Sequence, residues 1–394
     1  MKKYKRLITA LLGIIMLFSL GACGDDTSPD LTLLAITEEE DPYPLFTRVG
    51  FIYDTSVSTG TVSAMFEQAR FELERTLGVE TRYIENVLLQ QFDDAVDTLI
   101  AGGCTVIIAA SNRFNSAVVT AARRNFNVHF ISYGGSDMAF NLSSVQPLLF
   151  HAANVNGFAA AFNTYTNRVG IVADPNMYHS HGIVSAFALG VRELTNARVN
   201  ISLNWTLSAR ISDTRRAIDD LHAQGCDIIF IYQAEDYGIR YAEELGIKVM
   251  GFAFNTAELA PRQHLSAMHV NVKPILIDKV RTIMWGTFSR GLARGSFTDG
   301  AVRLRFNETE GVLSDGTLTL TNELTEYISD GSSPVFRGEV RDRDNIVRIE
   351  KGVNFPINSI FAIAWLPEDI DVVNIMSAPL VEEELIFSTL EIKQ

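Results

Sequence analysis

The segment from Arg48 to Ala110 recurs in altered letters from Arg168 to Tyr232, and this duplication constrains the fold more than any other feature of the chain. The first copy opens Arg48-Val49-Gly50-Phe51-Ile52-Tyr53-Asp54 and the second Arg168-Val169-Gly170-Ile171-Val172-Ala173-Asp174. Later in each copy a glycine and a cysteine lead into an apolar run, Gly103-Cys104-Thr105-Val106-Ile107-Ile108 and Gly225-Cys226-Asp227-Ile228-Ile229-Phe230. Short continuous apolar runs are the signature of parallel strands buried on both faces. Between them the spacing turns helical, as over Val62 to Leu77, where Met65, Phe66, Ala69, Phe71 and Leu73 carry the pattern. Alternating strands and helices predict βαβ units. The expected fold is therefore α/β, with two doubly wound parallel-sheet lobes, a hinge and an interlobe cleft. Solutes in such folds bind outside the carboxyl ends of the strands, which makes the cleft the expected site.

Boundaries follow from the rest of the chain. Lys2, Lys3, Lys5 and Arg6 precede the apolar stretch Leu7 to Leu20, a basic region followed by a core too short to span a bilayer comfortably. The stretch ends in Leu20-Gly21-Ala22-Cys23, which resembles a bacterial lipobox; residues 1–22 are expected to be a lipoprotein signal peptide, with Cys23 lipidated. Residues 23–47, rich in Asp and Glu, read as a solvated tether. Lobe one is expected over 48–147 plus about 273–350 and lobe two over 148–272, with crossings at Asn141 to Val145 and Leu265 to Asn271. Val302 to Phe306 and Thr317 to Thr321 alternate like strands with one wet face, and Val335 to Val340 with Ile346 to Glu350 reads as a hairpin on the rim of lobe one. Residues 351–394 form a C-terminal extension to which the sequence assigns no role.

The net charge of −14 argues against nucleic acid as a partner. Cys104 and Cys226 occupy equivalent places in separate lobes, where a bridge would freeze the cleft; buried free thiols are expected. The chain lacks a Gly-x-Gly-x-x-Gly turn after either first strand, a phosphate-loop lysine motif and a Gly-x-Ser-x-Gly elbow, so the reading is binding without turnover, no cofactor and no enzyme. His179-Ser180-His181 reads as a solvated loop pair, since two imidazoles without a nearby carboxylate or thiolate do not make a metal site.

Val49 to Tyr53 followed by Gly78 to Val87 resembles the basic membrane protein family of substrate-binding lipoproteins. Ala186 to Arg192, Gly225 to Ile229, Gly246 to Phe252, Ala260 to Ser266 and Phe336 to Val340 extend the likeness over most of residues 48 to 350. The resemblance implies a type I periplasmic-binding-protein fold that feeds an ABC importer, commonly with purine nucleosides. It also marks departures: the position that carries a stacking aromatic in relatives is Val62, and two acidic positions align with Ala253 and Ala234.

The candidate ligand-binding residues are Asp54, Ser63, Ser111, Asn112, Phe114, Asp174, Tyr178, Trp205, Gln233, Glu235, Phe254 and Asn255. Phe114, Tyr178, Trp205 and Phe254 would enclose an apolar ring. Ser111, Asn112, Gln233 and Asn255 would exchange hydrogen bonds, and Asp54, Asp174 and Glu235 would take hydroxyls or a cation. Asp54 and Asp174 could equally cap the helices that follow them, and Trp205 could simply cover lobe two. The expected protein is a lipid-anchored receptor on the extracytoplasmic face of the cell membrane, with a small-molecule solute and ABC permease subunits as partners. The alternative is a surface sensor or interaction protein that retains the fold without transport.

Overall fold

The computed structural model describes residues 46–58, 61–135, 139–194, 199–207, 210–252, 256–329, 334–374 and 393. Two sheets carry the architecture. In the first, β1 (Arg48–Ile52), β2 (Glu80–Ile84), β3 (Val106–Ala109), β4 (His129–Tyr133), β5 (Leu142–Pro147) and β11 (Gly291–Gly295) lie in the order β11-β5-β4-β3-β1-β2. Every neighbouring pair in it is parallel. In the second, β6 (Arg168–Ala173), β7 (Asn200–Trp205), β8 (Ile228–Tyr232), β9 (Lys248–Phe252) and β10 (His264–Val270) repeat that order; β12 (Val302–Phe306) closes one edge antiparallel to β10 and β15 (Ile370–Asn374) extends the other parallel to β7. The sequence echo is thus a structural one: β1 sits between β2 and β3, as β6 sits between β7 and β8.

The central strands form because their residues are apolar on both faces, as in Val106–Ala109 and Ile228–Tyr232, every residue of which is buried. In lobe one, α1 (Thr61–Leu77) buries Met65, Phe66, Ala69 and Leu73, while α2 (Phe92–Ala101) and α3 (Asn115–Arg124) cover the opposite face. In lobe two, α4 (Leu149–Asn163) and α5 (Ser180–Glu193) lie on one face, and α6 (Ile211–Ala223) and α7 (Tyr237–Leu245) on the other. The α4–α5 contact is backbone on backbone. A Cβ at Gly157 would lie 1.9 Å from the Phe187 carbonyl oxygen, and one at Gly190 1.9 Å from that of Asn154.

Among the described residues three crossings join the lobes. Two were expected, but the residues assigned to them are mostly strand: Leu142–Pro147 is β5 and His264–Val270 is β10, so the chain changes lobe immediately after each. Past β9 the short α8 (Thr256–Leu259) leads into β10, and from β10 the chain enters α9 (Lys273–Met284), which packs on α1. The third crossing, from β11 in the first sheet to β12 in the second, overturns the assignment of residues 302–306 to lobe one. All three leave from the β5/β11 and β10/β12 sides.

The C-terminal third corrects further expectations. Thr317 to Thr321 is the start of a helix, α10 (Thr317–Ser329), because Thr317, Thr321, Leu324 and Ile328 return on one helical face and pack beside α4. The expected hairpin exists as β13 (Val340–Arg341) and β14 (Val347–Ile349), but it belongs to lobe two: Arg337 pairs with Glu193 of α5 at 2.7 Å, and Phe336 meets Phe150 of α4 at 6.0 Å. Beyond it, α11 (Ile357–Ile360) precedes β15, Ser185 Oγ donates to the Trp365 carbonyl at 3.1 Å, and Arg192 pairs with Asp369. Lys393 bridges backbone to backbone with Tyr83 of lobe one and pairs with Glu85.

Candidate functional site at the facing strand ends

In each sheet the switch in winding direction falls beside the first strand, between β1 and β3 and between β6 and β8. The crevice outside the carboxyl ends at such a point is where ligands bind in open α/β sheets. The duplicated aspartates stand there: Asp54 just beyond β1 and Asp174 directly after β6. One arginine reaches both. Arg113, in the turn after β3, places Nε 3.7 Å from Asp54 Oδ2 and a terminal nitrogen 3.4 Å from Asp174 Oδ2. Arg113 comes from lobe one and Asp174 from lobe two, so the duplicated carboxylates share one cation across the cleft.

The local sequence builds this arrangement. Ser111 caps the short turn Asn112–Phe114, accepting from the Arg113 amide at 3.2 Å, and its hydroxyl donates to Asp54 Oδ2 at 2.7 Å. Asn112 Nδ2 donates across the cleft to the Asn176 carbonyl at 2.8 Å. Asp174 Oδ1 accepts from the Asn176 amide at 2.8 Å, so this carboxylate shapes its own loop with one oxygen and faces Arg113 with the other. Burial pushes the Asp54 carboxyl above its ordinary range, opposed by Arg113 and the Ser111 hydroxyl and aided by Asp174.

Beside this trio lies an aromatic contact between the lobes. Tyr178 packs its ring 5.1 Å from that of Tyr133 at the end of β4, over Gly134. Gly134 has φ +77°, and a Cβ there would lie 2.2 Å from the Tyr178 ring, so glycine is required twice over. Among the described residues the buried hydroxyls of Tyr133 and Tyr178 find no hydrogen-bond partner, and burial raises both pKa values above the ordinary phenol range. Buried hydroxyls in native proteins are ordinarily satisfied by protein, water or ligand. Phe361, following α11, backs this loop, 4.8 Å from the His179 ring and beneath the Arg294 guanidinium.

Of the expected residues, Asp54, Ser111, Asn112, Asp174 and Tyr178 are brought together here. Phe114 is not: its ring is fully buried against Phe92 at 4.7 Å, because the short turn sends residue 113 to the cleft and residue 114 to the core. Ser63 is buried and bonded to Thr55 Oγ1 at 2.6 Å, where it fastens the loop after β1 to α1. Gln233 is buried, its amide donating to Thr214 Oγ1 at 3.0 Å on α6. Trp205 is 9% exposed and packs 4.8 Å from His181, closing the end of lobe two. Glu235 lies half-buried between β8 and α7. Cys23, Phe254 and Asn255 lie outside the described residues. Sequence reasoning missed Arg113, Tyr133, Gly134 and Asn176. The available signal was positional, since Arg113 and Gly134 follow strands at the same edge as Asp54. Val62 belongs to the core. Cys104 and Cys226 are buried free thiols, each pushed up to about 11 by burial.

Two repeated sheets with their strand ends facing across a hinge define a two-lobed, periplasmic-binding-protein-like fold. Solved structures share the fold: a solute-binding protein from Aeropyrum pernix K1 superposes with a TM-score of 0.61 at 14% identity, covering 73% of this chain and 92% of that one. One from Conexibacter woesei gives 0.59 at 15% identity, covering 73% and 97%. A model of the Bmp family, described as ABC transporter substrate-binding protein PnrA-like, matches residues 46–328, and the chain belongs to that family. A purine-binding protein of Brucella abortus is 24% identical over 313 residues, covering 77% of this chain and 87% of that protein. The chain is accordingly a substrate-binding protein of an ABC transporter, a family of solute binders that serve permease subunits outside the cytoplasm. Among the described residues no helix is long and apolar enough to cross a membrane.

Proposed function

We propose that this protein binds a purine nucleoside or base between its lobes and, anchored by a lipidated Cys23, presents it to its permease. The observation that carries this reading is the Asp54–Arg113–Asp174 bridge. Two acceptors and one donor group, all at the switch points, are held for exchange with a solute. Arg113 partly neutralises both carboxylates. A solute that offers hydroxyls or an amine to Asp54 and Asp174 frees Arg113, whose nitrogens only donate, to bind a ring carbonyl. The tyrosine pair, with its unpartnered hydroxyls, supplies an apolar face and two further polar atoms. The purine binder of Brucella abortus supports the ligand class, and Leu20-Gly21-Ala22-Cys23 supports the anchor.

Calorimetric titration with adenosine, guanosine, inosine and hypoxanthine, against ribose and amino acids as controls, tests the reading. Saturable binding of at least one purine is expected. Arg113→Ala is expected to weaken it by about 1.5–3 kcal/mol, the usual loss of a hydrogen bond to a charged group, or roughly tenfold or more. Absence of purine binding, or purine affinity untouched in Arg113→Ala, contradicts it. Acylation is checked separately, because Cys23→Ala should release the protein from the membrane fraction.

A further inference from the structure

The chain carries a net charge of −14, yet one hollow at the hinge is walled by cations. It encloses about 150 Å³ and is lined by Gln68 of α1, His269 of β10, Asn271 in the crossing, Lys273 of α9, and Arg303 and Arg305 of β12. The antiparallel register sets Arg303 opposite His269 and Arg305 opposite Ala267, so both arginines stand on one face of an edge strand. Lys273 is the first residue of a twelve-residue helix whose leading amides add partial positive charge.

Nothing among the described residues neutralises this group, for no ion pair engages Lys273, Arg303 or Arg305. Glu72, the carboxylate on α1 that Lys273 influences, is already held by Arg75 and Thr76. The concentration of charge is felt at His269, whose imidazole is held down at about 4 by burial and by Arg305, Lys273 and Arg303 together.

The geometry points to a phosphate-binding site across the hinge, taking a phosphate group between Lys273 of lobe one and the Arg303–Arg305 pair of lobe two. Planar guanidinium groups match phosphate oxygens two at a time, and an ammonium supplies a point charge beside them. At roughly 30 Å³ per water molecule, the hollow admits a tetrahedral anion with part of its hydration. Because its walls belong to both lobes, a bound phosphate favours one hinge angle. Whatever factor it exerts on the affinity of the cleft, the cleft solute exerts on it in return. The phosphate can belong to a free anion or to a lipid headgroup, and the two sources are separable.

The full chain and its Arg303→Ala/Arg305→Ala variant, which alters only exposed side chains on an edge strand, are titrated calorimetrically with inorganic phosphate, chloride holding ionic strength constant. Both are also sedimented with phosphatidic acid vesicles, using phosphatidylcholine vesicles as control. The site predicts saturable binding to at least one probe and a loss of tenfold or more in the variant, with the variant's melting temperature unchanged. Phosphate binding alone assigns a free anion, and vesicle binding alone assigns a headgroup. No saturable binding to either probe, or binding equal in the two proteins, overturns the proposal. Because no cleft ligand enters the assay, a failed purine titration leaves this result independent.

Discussion

At the scale of single residues, the site depends on where charge is allowed to sit. Asp54 and Asp174 descend from the same position of a duplicated unit, and each lies at the edge of a buried core where an uncompensated carboxylate is costly. One shared arginine answers both, 33% exposed and therefore able to leave. The aspartates were legible in the sequence because duplication marks them; Arg113 was not, because adjacent turn residues diverge, one to the cleft and the next to the core. Histidines tell a related story of burial. His151, His179, His264 and His269 are all held down at about 4, chiefly by desolvation. The unfolded chain takes up protons on these groups from about 6.5 downward, whereas the folded chain resists until about 4. Their contribution is therefore complete above about 6.5 and is lost as pH falls toward 4. Asp54 acts with the opposite sign, since its raised pKa lets the folded state hold a proton longer, but it is one group against four. In salt high enough to screen surface charge, the urea midpoint is expected to fall between pH 7 and pH 5; a midpoint that holds or rises contradicts the assignment.

Elements show which patterns a sequence can display. Strands β1, β3, β6 and β8 announce themselves because burial on both faces demands uninterrupted apolar runs. Helix α10 hides, because its first five residues alternate threonine and leucine with the period of a strand, and only Leu324 and Ile328 reveal the helical return. Strand β11 hides for another reason: Gly291–Gly295 is a partly exposed edge strand containing two glycines and an arginine, with no apolar run to mark it. Helix α4 is buried on nearly every side and so lacks a polar stripe. Its packing rests on two glycines that let its backbone touch that of α5. Gly157→Ala or Gly190→Ala should force the helices apart at a cost of about 1–3 kcal/mol or more, as overpacking does. Thermal melting checks this, and a variant as stable as the parent would show that the contact yields freely.

Across the whole molecule, one apolar cluster runs from lobe one into lobe two; the three crossings among the described residues lie on one side, while Lys393, beyond β15, pairs with Tyr83 of β2 on the other. The two-lobe plan was legible because it is written twice. The third crossing and the lobe-two position of residues 302–349 were not, because they have no counterpart in the repeat. The central claim is that a solute is gripped between the facing strand ends, closing the lobes as it binds. Gln90, exposed beyond β2, and Ser212, exposed beyond β7, follow corresponding strands of the two sheets. Spin labels at Gln90→Cys and Ser212→Cys, in a chain lacking Cys23, report the opening, since the buried thiols of Cys104 and Cys226 stay unreactive. The distance distribution is expected to include a long component without solute and to collapse to the short one with a saturating purine. A purine that binds while that distribution stays unchanged would place the solute elsewhere and contradict the account.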